Sequence, residues 1–566
     1  MCGIFGIINY NSCDIDKIKT NFEKGMLRGP EYSILKYYNN ICIGFHRLAI
    51  NGLTEKSNQP FEINNTILVC NGEIYNYKEL AKDNNITLQS DSDCEIILHL
   101  YLLYGIEYTL TLLDGVFSFI IYDNNNKSVL LARDPYGIRP LYIAYDNNIM
   151  YISSELKCIY RLTNSKESIS NFIPGHYMRI EMNTYNLICN NPTLIYAYTK
   201  YTYFPFSDTK FLSLSEIDIY NILYNKLYTS VRKRVIGTTE RPVACLLSGG
   251  LDSSLICALV NKIIKEKYPN KQLKTFCIGM PGSEDLKYAK IVANHIGTDH
   301  HEIVMSENDF FYAIPEVIKT IESYDTTTIR ASVGNYLVSK YIKENTDCKV
   351  IFNGDGADEL MGGYLYFKKS PNAFEFDKEC KRLLQDIYMY DVLRSDKSIS
   401  SNGLEPRTPF LDRSWVETYL SIDKNIRYNT TIEHCEKYLI RKAVDYLDEN
   451  LLPKKILWRT KEAFSDGVSK LNKSWYQIIH EKIDNLCEED EKLDNALELI
   501  MKTYKNYPLS NNIPKTREQA YYRYLYNGYY KNTDHLIHYY WMPKYTDADD
   551  SSARTLNFYS ENNSNM

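Results

Sequence analysis

The sequence predicts two structural units: an α+β unit of sheets packed with helices, then an α/β unit built on a doubly wound parallel sheet with a helical C-terminal part. Through residues 1–190, short apolar runs recur between Asn, Asp and Gly clusters, the signature of strands and turns. From Leu214 onward, largely apolar strands alternate with amphipathic helices, as in a parallel sheet covered on both faces. The length of 566 residues also exceeds what one core serves.

In the first unit the expected strands are 3–8, 41–48, 66–70, 116–122, 129–132, 141–145 and 149–153. One helix interrupts them at 93–104, with Ile96, Ile97, Leu100 and Leu103 on a face and Ser92 or Asp93 as cap. Residues 191–213, with Pro192 and Pro205, read as a linker. The second unit, 214–542, is expected to run helix 216–235, strand 242–247, helix 253–267, strand 275–278, helix 286–296 and strand 302–305. Helices 309–323 and 332–343 and strand 349–353 follow, the chain is mostly helical after Asn372, and 543–566 read as a mobile tail.

Composition narrows the function. An apolar fraction of 44% and a charged fraction of 24% are ordinary for a globular protein. A formal net charge of −6 argues against general nucleic-acid affinity, which needs a basic face. There is no apolar run long enough to cross a membrane and no secretory-type start, so a cytoplasmic protein is expected. The 14 cysteines include no Cys-x-x-Cys pair, which disfavours structural zinc and points to reduced thiols.

Three motifs carry chemistry. The chain starts Met1-Cys2-Gly3-Ile4-Phe5-Gly6. A small second residue favours removal of Met1, which would leave Cys2 with both a thiol and a free α-amine. That amine titrates near ~7.7–8.0 and can serve as the thiol's own base. Second, Ser248-Gly249-Gly250-Leu251-Asp252-Ser253-Ser254 falls between an expected strand and helix. Its glycines admit backbone N–H groups to an anion, and the helix start adds its dipole. The serines can donate further hydrogen bonds, and Asp252 can hold a Mg²⁺ bridging phosphates. No Gly-Lys-Ser/Thr follows, so this is not a Walker A loop. Third, the acidic turn Gly354-Asp355-Gly356-Ala357-Asp358-Glu359 closes strand 349–353 and should face the first loop across the strand ends. His295, His300 and His301 are spaced like metal ligands but read as packing or solvent-facing residues.

With both ends read, the chain resembles the glutamine-dependent asparagine synthetases over nearly its whole length. The first unit (2–190) is similar to a class II glutamine amidotransferase domain through Cys2–Gly6, Arg28-Gly29-Pro30, His46-Arg47-Leu48-Ala49-Ile50, Asn71-Gly72-Glu73-Ile74-Tyr75-Asn76, Ser92-Asp93-Cys94-Glu95 and Arg133-Asp134-Pro135-Tyr136-Gly137. The resemblance implies an N-terminal-nucleophile hydrolase sandwich, layered αββα. It also implies Cys2 as nucleophile, Asn71 and Gly72 as oxyanion hole, and a glutamine site from Arg47, Leu48, Ala49, Ile50, Asn51, Asn71, Gly72, Glu73 and Asp93.

The second unit resembles the ATP pyrophosphatase-type synthetase domain. Its further marks are Phe276–Met280, Tyr324–Arg330, Leu404-Glu405-Pro406-Arg407-Thr408-Pro409 and Arg459-Thr460-Lys461-Glu462-Ala463-Phe464-Ser465-Asp466-Gly467. Trp541-Met542-Pro543-Lys544 and Ser552-Ala553-Arg554-Thr555-Leu556 are similar to the eukaryotic-like branch. The resemblance places ATP at Leu247, Ser248, Gly249, Gly250, Asp252, Ser253, Ser254, Ile278, Asn353 and Gly354. Asp355 would act in adenylation, Asp252 and Asp358 would hold Mg²⁺, and Asp358, Arg407 and Lys461 would meet the intermediate and phosphates. Aspartate would be adenylated to β-aspartyl-AMP, then aminated by ammonia released from glutamine. The partners implied are glutamine, aspartate and ATP, without nucleic acid or membrane, in a homodimer.

One departure bears on rate. The family usually reads Ser-Gly-Glu-Gly-Ser-Asp where this chain has Asn353-Gly354-Asp355-Gly356-Ala357-Asp358. Asp355 keeps the charge on a side chain one methylene shorter, and a displacement of about 1 Å can cost ~10²-fold. An impaired synthetase site or another carboxylate acceptor are the alternatives it motivates. A phosphoribosyl-transferring amidotransferase would share the first unit only, and the 248–254 loop speaks against it.

Overall fold

Three sheets organise the chain, two antiparallel and one parallel. The structure is a computed structural model describing residues 1–182, 198–202, 214–237, 240–505 and 512–556. In spatial order, the first sheet is Ser170–Asn171, Tyr142–Asp146, Ile149–Ser153, Gly3–Ile8, Ile41–Arg47 and Tyr32–Tyr38. The second is Tyr198–Lys200, His176–Glu181, Ser128–Arg133, Gly115–Asp123, Thr66–Ile74 and Phe61–Ile63.

Alternation along the strands explains the stacking. Ile4, Ile8, Ile43 and Phe45 of the first sheet share one core with Val69, Ile120, Val129 and Leu131 of the second. The opposite face of the second sheet, with Leu68, Phe119, Ile121 and Leu130, packs on Ile97, Leu100 and Leu110 of helix Glu95–Leu112. The opposite face of the first, with Phe5, Ile7 and Cys42, meets Ile18 and Phe22 of helix Ile15–Phe22.

The expected helix 93–104 ends where Gly105 leaves helical geometry at φ 77°, and a second helical segment continues beyond it to Leu112. Part of the expected linker is also sheet: Tyr198–Lys200 pairs with His176–Glu181. Of the rest of that linker, 191–197 and 203–213 lie outside the described residues.

The third sheet is parallel, in spatial order Asp299–Val304, Lys274–Gly279, Val243–Leu246, Val350–Phe352 and Glu405–Arg407. In chain order that is 3-2-1-4-5, so the winding reverses between Val243–Leu246 and Val350–Phe352, where open α/β sheets bind ligands. Four of its helices start on side-chain caps, from Ser215, Ser283, Ser306 and Asp325. Ser215 and Ser306 form capping boxes with Asp218 and Asp309. Asp325 accepts from Thr328 N–H and starts helix Thr326–Asn345 well before the expected position 332. The cap outweighs the weak helix propensity of three successive threonines.

One further helix, Asp391–Ser400, is buried from Val392 onward and lies where the two units meet. Arg28 of the first unit reaches Glu155 at 2.7 Å, and Asp396 at 2.6 Å and Ser400 at 3.0 Å on that helix. Arg139 lies 3.6 Å from Asp396 and 3.9 Å from Glu405, and Arg407 lies 2.9 Å from Glu405 and 3.2 Å from Glu73. All eight residues are buried. The expected tail is also partly structured, because 543–556 packs on the second unit, while 557–566 lie outside the described residues.

Among the described residues, removing Arg28 leaves Asp396 only the longer contact to Arg139 at 3.6 Å and Glu155 only Lys157 at 2.7 Å. Arg28→Ala is expected to cost about 3–5 kcal/mol, read by urea unfolding at pH 7.

Candidate functional sites

Cys2 stands at the mouth of strand Gly3–Ile8, its backbone carbonyl accepting from Arg28 Nε at 3.0 Å. Its thiol faces the Leu48 carbonyl at 3.8 Å. Burial pushes that thiol up to about 11 while Met1 is attached. The Met1 α-ammonium is itself buried, 3.7 Å from Glu405, and burial lowers its affinity for the proton.

Strand Thr66–Ile74 carries Asn71, Gly72 and Glu73 in the sheet stacked against that of Gly3–Ile8. Both polar side-chain atoms of Asn71 are buried without a hydrogen-bond partner. Each such orphan costs about 1–3 kcal/mol, so an amide left this way is preorganised for a ligand. Gly72 must be glycine, because a Cβ there would stand 2.5 Å from the Val116 carbonyl oxygen.

Glu73 Oε2 makes no hydrogen bond and faces Arg407. Burial, then the charges of Asp93 and Glu405, push its carboxyl well up. Asp93 accepts from Ile74 N–H at 2.6 Å, and burial pushes it up to about 6. Two acids held reluctant to ionise suit an incoming cation. Arg47 binds Asn58 Oδ1 at 2.7 Å and the Thr54 and Gly52 carbonyls, shaping loop 52–58 while other guanidinium N–H groups remain. Ala49 N–H donates to Glu31 at 2.6 Å, the Ile50 carbonyl accepts from Glu240 N–H at 3.0 Å, and Asn51 Nδ2 donates to Tyr77 at 3.2 Å.

A second pocket opens at the reversal point of the parallel sheet. Leu247, Ser248, Gly250, Asp252, Ser253, Ile278, Asn353, Gly354, Asp355, Asp358 and Lys461 all line it. Gly249 and Ser254 lie behind that surface. Gly249 takes φ +73°, and a Cβ would stand 2.4 Å from the Tyr288 backbone. Its carbonyl accepts from Arg459 at 3.2 Å, and the Ser254 hydroxyl is buried beneath the loop. Arg407 corrects an expectation. It sits on the edge strand Glu405–Arg407, locked between Glu405 and Glu73 against the first unit, away from the pocket.

Two cations that sequence reading missed complete the pocket floor. Lys437 Nζ lies 2.5 Å from both Asp252 and Asp358, and Lys461 Nζ lies 2.6 Å from Asp358. Against the cost of burial, the two lysines hold the Asp358 carboxyl well below its usual range. Arg394 pairs with Asp355 at 2.9 Å and Asp391 at 2.8 Å. Lys437, in the turn before helix Tyr438–Leu447, and Arg394, within helix Asp391–Ser400, are remote in sequence and in no motif that marks them. Asp355 Oδ2 and Asp252 Oδ1 are buried without hydrogen-bond partners. Asp252 and Asp358 converge on the same lysines with hard oxygen donors, so the pair fits a divalent cation such as Mg²⁺.

The three histidines pack as expected. His295 meets the Asn450 carbonyl at 2.8 Å, His300 meets Thr275 at 3.0 Å, and His301 stacks on Phe276. Among the described residues, no helix is long and apolar enough to cross a membrane.

Two family models match the chain: a glutamine amidotransferase domain over residues 1–194, and asparagine synthase over 223–375 and 368–499. The chain is 40% identical over 576 residues to "Asparagine synthetase [glutamine-hydrolyzing]" of Gallus gallus, covering 99% of each. It is 38% identical over 573 residues to the protein of the same name from Homo sapiens, again covering 99% of each. Among solved structures, the allosteric regulatory enzyme of purine biosynthesis shares 15% identity over 54% of this chain and 80% of that one, with a TM-score of 0.29, too low to carry an argument.

Lys437→Met leaves Asp252 and Asp358 short of one buried cation. It is expected to lower the unfolding free energy by about 3–5 kcal/mol at pH 7, and a loss under about 1 kcal/mol would show that Lys461 alone suffices.

Proposed function

The chain belongs to the glutamine-hydrolysing asparagine synthetases, and from that premise we infer how its residues divide the work. The enzyme makes L-asparagine from L-aspartate, with ATP and the amide nitrogen of L-glutamine, releasing glutamate, AMP and pyrophosphate. Residues 2–190 form the glutaminase unit, an αββα N-terminal-nucleophile hydrolase, and 214–542 the ATP pyrophosphatase-type synthetase unit.

In the first site Cys2, freed of Met1, attacks the side-chain amide carbon of glutamine, its α-amine taking the thiol proton. Asn71 Nδ2 and Gly72 N–H hold the oxyanion, worth about 3–4 kcal/mol for one donor. The C–N bond breaks, the nitrogen leaves as ammonia with that proton, and water hydrolyses the thioester to glutamate. Arg47 holds the substrate α-carboxylate and Glu73 with Asp93 its α-ammonium, along a cleft floored by Leu48, Ala49, Ile50 and Asn51.

In the second site Leu247 and Ile278 flank adenine. Ser248, Gly249, Gly250, Ser253 and Ser254 shape the phosphate loop, and Asn353 and Gly354 close the far side. The β-carboxylate of aspartate attacks the α-phosphorus and pyrophosphate leaves. Ammonia then displaces AMP from β-aspartyl-AMP. Lys461 and Lys437 balance the phosphate charge, and Asp355, steered by Arg394, borders the reacting carboxylate. Asp252 and Asp358 would hold Mg²⁺, which neutralises phosphate charge when bound. Arg407 belongs to the joint between the units rather than to the phosphates. A homodimer in the cytoplasm completes this reading, with sedimentation the check on the assembly.

The observation that carries the division is helix Asp391–Ser400. Its Arg394 holds Asp355 in one site, and its Asp396 holds Arg28, which binds the Cys2 carbonyl in the other. Ammonia in water at pH 7 is mostly ammonium, so two sites this closely joined suit direct delivery.

Cys2→Ala is expected to abolish glutamine-dependent synthesis and keep synthesis from added ammonium; persisting use of glutamine would refute the nucleophile. A second outcome follows from Asp93. Because its folded carboxyl titrates near about 6, it is protonated below that pH and loses the charge that meets the α-ammonium. Glutaminase kcat/KM, read as glutamate release, should therefore fall as pH drops through about 6, and Asp93→Asn should remove that limb.

A further inference from the structure

The segment from Trp541 to Leu556 crosses three walls of the synthetase pocket. Trp541 N–H donates to Asp325 at 2.8 Å, and its ring packs 5.1 Å from Tyr364, a lining residue. Asp550 binds Arg330 through both carboxylate oxygens at 2.7 Å. Arg330 lies in helix Thr326–Asn345, which contributes Thr327, Ala331 and Asn335 to the lining. Ser552 then donates to Asp466 at 2.7 Å. Arg554 places Nε at 2.9 Å and Nη2 at 2.8 Å from Glu462, with Nη1 at 2.8 Å from the Lys470 carbonyl.

The Arg554–Glu462 pair is buried, at 6% and 10% side-chain exposure, so it is held far more firmly than a surface pair. Glu462 follows Lys461, whose ammonium lies on Asp358. The loop carrying both is otherwise tied by Lys461 N–H to Glu436 at 2.9 Å and by its Val468 carbonyl to Met280 N–H at 2.8 Å. Those ties fix its two ends, and Arg554 fixes the turn between them. The nearby cluster His480, Glu518 and Asp550 has ligand-like spacing, but Arg330 already occupies its centre.

We propose that Trp541–Leu556 is a strap that sets the width of the synthetase pocket, with Arg554 the positioning residue that places Lys461 for the adenylation step. This rests on the reading of Lys461 as the phosphate-facing lysine. The adenine wall, Leu247 and Ile278, makes no strap contact among the bonds described, so loss of the strap acts on turnover before it acts on ATP capture.

The test uses the full chain with Arg554→Ala, Arg554→Lys, Asp550→Asn, Lys461→Ala and the Arg554→Ala/Lys461→Ala double variant. Ammonia-dependent asparagine formation is read as kcat and KM, and glutamine hydrolysis reports on the other unit. Arg554→Ala is expected to lower synthetic kcat about tenfold or more, with KM for ATP and glutamine hydrolysis within about twofold. Arg554→Lys should recover only part of the loss, since one ammonium cannot meet both Glu462 and the Lys470 carbonyl. In the Lys461→Ala background Arg554→Ala should add less than about twofold, because both act through one group.

Unchanged kcat in Arg554→Ala, or full additivity with Lys461→Ala, overturns the strap. Should Arg554→Ala fail to fold, Asp550→Asn decides: a selective fall in synthesis supports the strap, and unchanged synthesis overturns it. If Lys461→Ala keeps full synthesis, the phosphate-site reading itself fails, an outcome distinct from failure of the strap.

Discussion

The rest of the structure depends on the buried charge network between the two units. Arg28, Arg139 and Arg407 face Glu155, Asp396, Glu405 and Glu73 away from water. Withdrawing charges from solvent costs several kcal/mol each, and only close, complementary partners offset it. Arg28 and Arg139 belong to one unit and Asp396 and Glu405 to the other, so neither surface is satisfied alone. The relative placement of the units is thereby a condition of their stability. Because Arg28 also binds the Cys2 carbonyl, the same network fixes the backbone of Cys2.

Much of this was legible in the sequence, and its limits have physical causes. The alternating strands of the first unit and the β-loop-α pattern around Ser248 stand where the patterning placed them. Missed strands were short, edge or polar: Tyr32–Tyr38 is half exposed, and Glu405–Arg407 holds a proline and two charges. The expected helix end at Tyr104 is where Gly105 takes φ 77°, and what the pattern did not show is the second helical segment that continues to Leu112. Arg407 shows why motif and place differ. A charged residue in a family signature suggests a ligand, but its partners are protein carboxylates brought near by the fold. Lys437 and Arg394 were invisible for the converse reason, since isolated basic residues outside any motif are ordinarily solvated.

The two sites are prepared in opposite ways. Around Asn71, Glu73 and Asp93 polar groups are buried without full satisfaction, a cost that a ligand with matching charges relieves. Around Asp252 and Asp358 the carboxylates are already neutralised by Lys437 and Lys461. The shorter Asp355 fits this second pattern, because Arg394 reaches it directly and keeps it in register.

Helix Asp391–Ser400 carries an evolutionary consequence. Arg394 and Ser395 serve the synthetase side, Asp396 and Ser400 grip Arg28, and Lys397 reaches Tyr142 and Glu322. Five side chains of this ten-residue helix thus reach separate destinations. Inserting or deleting a single residue turns everything beyond it by about 100° and shifts it by about 1.5 Å. A point substitution here removes one contact, whereas a change of length displaces several at once. Among homologues this stretch should therefore vary in letters and stay invariant in count, a gapless column block between loops free to grow.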